Sequence, residues 1–284
     1  MLCGLMKNKV CVVTGANSGI GKETAVALAA IGATVVIVTR DAQKGAAAVA
    51  DIVSRSGNTS VSFLAADLSS QAAIRTLAEE INAKLPRIDV LVNNAGAIIG
   101  ERKLTVDGIE TTFAVNHLGY FLLTHLLLDK LKASAPARIV NVASDAHRSG
   151  TINFDDLGGE KNYGSWAAYC QSKLANVMFT YELARRLEGS GVTANSLHPG
   201  VVATGFGKSG SGLMKFAVTV IRPFLISSAK GAETTIYLAS SPEVEGVSGK
   251  YFDKCRAVSS TAASNDPAAA RRLWEISEKL TGIA

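Results

Sequence analysis

A chain of 284 residues that is 48% hydrophobic and 19% charged can bury a sizeable core, which excludes a disordered or low-complexity protein. Its 29 basic residues are scattered among 24 acidic ones for a net charge of +5, with no basic run or stripe, so nucleic acid is not an expected partner. Cys3, Cys11, Cys170 and Cys255 lie far apart, without a CxxC pair or a His at zinc spacing. No metal site is expected, and a reducing, cytoplasmic setting is.

From residue 10 to about residue 200, short β-branched runs alternate with longer helical stretches. That rhythm predicts right-handed βαβ units and a parallel, doubly wound α/β sheet. Strands are expected at 9–13, 34–38, 60–64, 89–92, 138–142 and 192–197, with a seventh at 249–252. Their nearly continuous apolar runs suit strands covered on both faces. Apolar residues at helical spacing mark 21–31, 71–84, 117–131 and 167–187 as helices. Neither a linker nor a repeat divides the chain, so residues 1–284 are read as one domain.

The segment 205–228 breaks the rhythm, mixing Gly, Ser and Lys with Leu213, Phe216, Val220, Phe224 and Leu225. It is expected to form a lid over a substrate pocket, an ordinary packed helix pair being the alternative. The longest apolar stretches, 25–39 and 213–226, are interrupted by Gly32 and by Lys215, Arg222 and Pro223. An integral membrane span of about 18 apolar residues is therefore not expected. The opening MLCGLMKNKV sets its basic residues after its apolar ones, the reverse of a secretory signal.

Between the first strand and the first helix stands Thr14-Gly15-Ala16-Asn17-Ser18-Gly19-Ile20-Gly21. Glycines let the backbone turn tightly and let a pyrophosphate approach, and helix-start N–H groups favour its charge. Gly15, Asn17, Ser18, Gly19, Ile20 and Gly21 are thus candidates for holding a dinucleotide. The second strand ends at Arg40, where an acidic residue would bind the ribose 2′-hydroxyl of NAD and an Arg the 2′-phosphate of NADP. NADP(H) is the expected cofactor, with Lys44 adding positive charge one turn later.

Tyr169-Cys170-Gln171-Ser172-Lys173 sets a Tyr and a Lys at i and i+4, on one face of a predicted helix. A phenol with a pKa near ~10 exchanges protons poorly at neutral pH unless a neighbouring ammonium stabilises its phenolate. Alone, such a pair is common on helix surfaces, and its weight comes from company. TGANSGIG at 14–21, Asn93-Asn94-Ala95-Gly96, Asn116, Ser144, the Tyr169/Lys173 pair and His198-Pro199-Gly200 occur in the order of the short-chain dehydrogenases/reductases, which the chain resembles. It looks like the retinol dehydrogenase-like branch in VNHLGYFLLTHLLL at 115–128, RIVNVASDAH at 138–147 and AYCQSKLAN at 168–176.

The resemblance implies a single doubly wound Rossmann domain with a parallel seven-stranded sheet. It implies an NADP(H)-dependent oxidoreductase moving hydride between the nicotinamide and an alcohol/carbonyl pair of a fairly apolar aldehyde or ketone, retinal-like ones included. In that scheme Tyr169 gives and takes the proton, Lys173 lowers its pKa and holds the nicotinamide ribose, Ser144 binds the substrate oxygen, and Asn116 passes protons through a water. Asp67 and Leu68 would contact adenine, Asn94, Ala95 and Gly96 the adenosine ribose, and Pro199, Gly200, Val202 and Thr204 the nicotinamide end. His198 is expected to be structural, and an insertion at 145–165 to shape the substrate mouth. A homodimer or homotetramer would join through the helices near His117 and Ala167. Two rival readings stay open: an NADPH-dependent carbon–carbon double-bond reductase of the protochlorophyllide-reductase type, and a non-catalytic nucleotide-binding redox sensor.

Overall fold

Eight strands form one sheet in the order β3-β2-β1-β4-β5-β6-β7-β8 in the computed structural model, which describes residues 4–201 and 226–283. The strands are β1 Val10–Thr14, β2 Thr34–Thr39, β3 Val61–Ala65, β4 Val90–Asn93, β5 Ala137–Val142, β6 Val192–His198, β7 Tyr251–Asp253 and β8 Arg256–Val258. After β3 the chain crosses to β4 on the other side of β1. The carboxyl ends of β1 and β4 therefore flank the point where strand order reverses, and a ligand crevice opens there in such sheets.

The seven expected strands are present and mutually parallel, but the expectation of a seven-stranded, wholly parallel sheet is corrected by β8, antiparallel to β7. This strand has three residues, all exposed, so no buried alternation announces it. Its hairpin turns on Lys254 and Cys255, both at positive φ (48° and 61°), without the Asn or Gly that usually signals such a turn.

The described helices are α1 Gly19–Ala30, α2 Ala42–Ser56, α3 Gln71–Lys84, α4 Thr111–Phe113, α5 Gly119–Leu126, α6 Leu128–Ala133, α7 Ser165–Arg186, α8 Ser228–Ser240 and α9 Pro267–Thr281. The single helix expected at 117–131 is instead α5 and α6, entered through a π turn, Ala114–Leu118. Successive residues of β1 feed opposite faces, as a pleated strand requires. Val12 joins Ile74, Leu77, Leu123 and Phe179 from α3, α5 and α7, whereas Cys11 and Val13 join Leu28, Ile52 and Leu238 from α1, α2 and α8.

Helix α9 docks across α5 and α7: the Trp274 ring lies 4.9 Å from that of Phe121 and 5.8 Å from that of Phe179. Part of the face considered for subunit contact is thereby covered within the chain. No described helix is long and apolar enough to cross a membrane. Of the segment 205–228, only Ile226, Ser227 and Ser228 are described, and Ser227 caps α8. The rest of the suggested lid lies outside the described residues.

Candidate active site

At the end of β1 the backbone turns at Gly15, where φ is +66° and a Cβ would stand 2.7 Å from Ala95 Cα. A Cβ on Gly21 would stand 2.8 Å from the Gly15 carbonyl oxygen. Neither position tolerates a side chain. The Thr14 hydroxyl accepts from the backbone N–H groups of Asn94 (2.9 Å) and Ala95 (3.0 Å), and Asn94 Nδ2 donates to Thr14 O at 2.8 Å. These bonds tie the β1 turn to the β4 turn and so fix both sides of the crevice.

Helix α1 begins at Ser18 with no side-chain cap and no acid in its first turn, while Asp41 and Ser70 close the starts of α2 and α3. Its unspent N–H groups and dipole make an anion seat at the crevice. A cleft of about 680 Å³ surrounds it, lined by Gly15, Asn17, Ser18, Gly19, Ile20 and Gly21 from the β1 turn and α1. Arg40, Asp67 and Leu68 line it from beyond β2 and β3, Asn94, Ala95 and Gly96 from beyond β4, Tyr169 and Lys173 from α7, and Pro199 from beyond β6. Gly200 faces Ile226, whose Cδ1 would stand 2.5 Å from an added Cβ. Val202 and Thr204 lie outside the described residues.

The Arg40 side chain is exposed at the cleft and makes no hydrogen bond or ion pair among the described residues. Its neighbour Asp41 is already committed: the carboxylate accepts the Lys44 N–H at 3.0 Å, and that bond holds its carboxyl below the usual range. Asp67 Oδ1 likewise accepts from Ser69 N (2.9 Å) and Ser69 Oγ (2.8 Å), which shapes the turn after β3.

Helix α7 carries Tyr169 and Lys173 into the other part of the cleft. The Lys173 Nζ lies 5.7 Å from the Tyr169 ring centroid and donates to Val142 O, at the end of β5, at 2.9 Å. The Ser144 hydroxyl, which accepts the Ala146 N–H at 3.2 Å, stands near enough to Tyr169 to draw its pKa down. Burial lowers Lys173 to about 7. Burial also pushes Tyr169 up to about 12, against the pull of the Ser144 hydroxyl. Each group alone resists charge, but a phenolate beside an ammonium relieves both, which suits a proton passed at neutral pH.

Asn116 is fully buried in the π turn. Its Oδ1 accepts Ala97 N–H at 2.8 Å, and its Nδ2 donates to Ala97 O (2.9 Å) and Ser172 Oγ (3.0 Å). Both amide donors are thus taken, and only acceptor groups remain for a bridging water. Gly96 lies between the pair: a Cβ there would be 3.3 Å from Asn116 Oδ1 and 3.7 Å from Lys173 Nζ. The π turn brings the amide to this turn, a frequent use of such irregularities.

Two features of the site escaped the sequence reading. Asn93 Nδ2 donates to Asn141 Oδ1 and to Thr124 Oγ1, both at 2.9 Å, and Asn141 Nδ2 donates to Thr180 Oγ1 at 3.0 Å. This buried ladder joins β4, β5, α5 and α7. The available signal was an Asn inside each of two apolar strands, which is costly unless paired. The second feature is the division of the 145–165 insertion: Ile152, Phe154 and Leu157 pack on Phe113, Leu174 and Met178, while Tyr163 Oη lies 2.9 Å from Ile99 O, beside the cleft.

Residues 9–211 match the family model described as short chain dehydrogenase, and the chain belongs to the short-chain dehydrogenase family. It is retinol dehydrogenase-like: it is 46% identical to Retinol dehydrogenase 12 of Mus musculus over 275 residues, which cover 97% of this chain and 87% of that protein. Among solved structures, an uncharacterized protein from Mycobacterium Paratuberculosis superposes with a TM-score of 0.79 at 36% identity, over 97% of this chain and 94% of that one. The RhlG/NADP active-site complex of Pseudomonas aeruginosa superposes with a TM-score of 0.72 at 27% identity, over 89% and 97%.

Proposed function

We propose that this chain is an NADP(H)-dependent oxidoreductase acting on the alcohol/carbonyl pair of a fairly apolar substrate. The observation that carries the reading is Tyr169, one helical turn from Lys173 and near enough to Ser144 for that hydroxyl to draw its pKa down, in the same cleft as the uncapped start of α1. The residues fit a dinucleotide: in the turn between β1 and α1 a Cβ on Gly15 or Gly21 would strike backbone, and α1 offers free N–H groups to a pyrophosphate. Arg40 is taken as the partner of the 2′-phosphate, since Asp41 is committed to α2 and Arg binds phosphate through paired donors. The RhlG structure was solved with NADP, which supports the same choice.

The bound nicotinamide supplies or accepts the hydride. Tyr169 Oη gives a proton to the carbonyl oxygen during reduction and takes it back during oxidation. Ser144 Oγ steadies that oxygen by a hydrogen bond. The Lys173 ammonium offsets the phenolate and would hold the ribose of a bound nicotinamide, and Asn116 keeps the Gly96–Ala97 turn in place. The apolar substrate is supported by the exposed Trp166 (58%) and Val201 (56%) beside Tyr169 and Pro199, and by the retinol named for the relatives. Free Cys11, Cys170 and Cys255 suit a reducing compartment.

The test is a panel of aldehydes and ketones, from small to retinal-sized, followed by NADPH absorbance, with competition titrations of NADPH against NADH. NADPH should bind more tightly, and long apolar carbonyls should give the higher kcat/KM. Tyr169→Phe should lower kcat by roughly 10²–10⁴-fold with NADPH affinity nearly unchanged. Wild-type preference for NADH would end the cofactor assignment, and full turnover in the Phe variant would end the role of Tyr169.

A further inference from the structure

Ser144 follows the end of β5, and His198 is the last residue of β6, next to Pro199 in the cleft. The two strands run in register to Val142 and Leu197, and Ala143 N–H then donates to Leu197 O at 2.9 Å. Beyond that point a side chain takes over the ladder: His198 Nδ1 accepts the Asp145 backbone N–H at 3.2 Å. The bond fixes the tautomer. Because Nδ1 accepts, the neutral ring carries its proton on Nε2, which faces Asp145 Oδ2 at 3.9 Å.

The surroundings hold this arrangement from other elements. Tyr251 Oη of β7 donates to Asp145 Oδ1 at 3.1 Å, and Arg148 Nε donates to the same oxygen at 3.2 Å. His147 Nδ1 lies 2.7 Å from Ser144 O, and its buried ring packs on the Tyr251 ring with centroids 4.7 Å apart. The C=O and the N–H of the Ser144–Asp145 peptide are thus both held by histidines.

We propose that His198 is a positioning residue whose neutral ring latches the Ser144 end of β5 to the Pro199 end of β6, and whose protonation opens the latch. An imidazolium has two N–H donors and no acceptor, so its Nδ1–H would oppose the Asp145 N–H. Burial lowers the pKa of His198; Asp145 and Asp253 raise it, and Arg148 and Lys254 lower it further. His147, the other histidine of the cluster, is lowered by burial as well. The latch is therefore closed at neutral pH and opens as pH falls through a value below the ordinary histidine range, about 6.5. Loosening it shifts Ser144 relative to the turn over the cleft, so kcat falls while cofactor affinity holds.

The inference rests on the proposed role of Ser144 beside Tyr169. The test follows kcat for carbonyl reduction from about pH 5 to pH 8, at saturating NADPH and substrate. Saturation matters because a phosphate monoester itself titrates near ~6, and Tyr169, pushed up to about 12, adds no acid limb to a reduction. His198→Asn offers Oδ1 in place of Nδ1 and cannot titrate. It should keep kcat at neutral pH within about three-fold and lose the acid limb, whereas His198→Ala should lose roughly ten-fold, the effect of one hydrogen bond.

The same acid limb in His198→Asn as in wild type overturns the latch. So does a His198→Ala variant as fast as wild type at neutral pH; if that variant melts early, the Asn profile decides. Ring ¹⁵N spectra, with His198 identified by its loss in the Asn variant, should show the Nε2–H tautomer, and an Nδ1–H tautomer overturns the proposal without any assay. Ser144→Ala and Tyr169→Phe, run beside them, report on the active-site reading alone. If neither lowers kcat, that reading fails and the ring spectra judge the latch.

Discussion

At the amino edge of the sheet, Asp89 is 2% exposed and accepts from Lys9 Nζ (3.0 Å), Val10 N (2.9 Å), Arg87 Nε (2.8 Å) and Arg87 Nη2 (2.6 Å). Nearby, Arg138 Nη1 donates to the carbonyls of Leu238 and Ser241. At the carboxyl edge, Lys173 is 4% exposed with a carbonyl for its partner and no anion among the described residues. There α1 starts uncapped and the buried His147 Nε2 has no partner among the described residues. The groove at the amino edge, about 870 Å³, is comparable in size to the cleft at the carboxyl edge, about 680 Å³. Size therefore does not mark the site. Uncompensated charge does, because an uncapped helix start and a buried ammonium facing only a carbonyl have interactions left for a ligand.

If the amino edge is purely structural, Asp89→Ala should be the most destabilising change. It leaves Val10 N–H unpaired, which costs about 1–3 kcal/mol, and deprives Lys9 and Arg87 of their anion, which adds less because both cations are over a third exposed. Denaturant unfolding should show that loss, while kcat/KM of the folded enzyme stays within about two-fold, a distant and independent site adding nothing. A large kcat change at equal stability would break the distinction between the edges.

The carboxyl edge should respond in the opposite sense. Lys173 falls from 10.5 to about 7 on burial, so between these values the unfolded chain holds a proton that the folded chain has released. Stability from this group then rises with pH across that window, and is lost as pH falls toward 7. Lys173→Met, which abolishes catalysis in the proposed mechanism, should raise the melting temperature at pH 7 by about 3 °C or more, the shift from roughly 1 kcal/mol in a chain of this size. The gain should shrink toward pH 10. A variant that melts below wild type at pH 7, or whose gain ignores pH, would show that the ammonium is compensated after all.

What could be read from the sequence follows the same division. The glycine turn and the Tyr169/Lys173 pair are local spacings, and β1 to β7 are apolar runs, so both were legible from composition and period. Helix α2, in AQKGAAAVADIVSRS, was not marked, because its buried stripe of Gly45, Ala48 and Ile52 is mostly small. The π turn was invisible for another reason: it depends on Asn116 clasping Ala97, a contact made only in the fold. The His198 bond to Asp145 spans 53 residues, and nothing near either residue anticipates it.

The smallest effect tests whether strain at the carboxyl edge belongs to the site. Lys254 and Cys255 hold φ of 48° and 61°, a left-handed conformation that costs a residue with a Cβ about 1 kcal/mol. They follow Asp253, which pairs with His198 in the sheet, so relief of the turn could reach the latch. Cys255→Gly removes the Cβ and keeps the backbone bond from residue 255 N–H to Thr234 Oγ1 (3.2 Å). Part of the relief is offset by the greater freedom of glycine in the unfolded chain. The expected net gain is roughly 0.5 kcal/mol, or about 1–2 °C in Tm. With kcat within about two-fold of wild type and the acid limb unmoved, the strain is a local cost of folding β8 back on β7. A raised Tm with a lowered kcat would instead place the hairpin in the active site, and the unmatched chemistry of the carboxyl edge would then extend beyond the cleft to the end of the sheet.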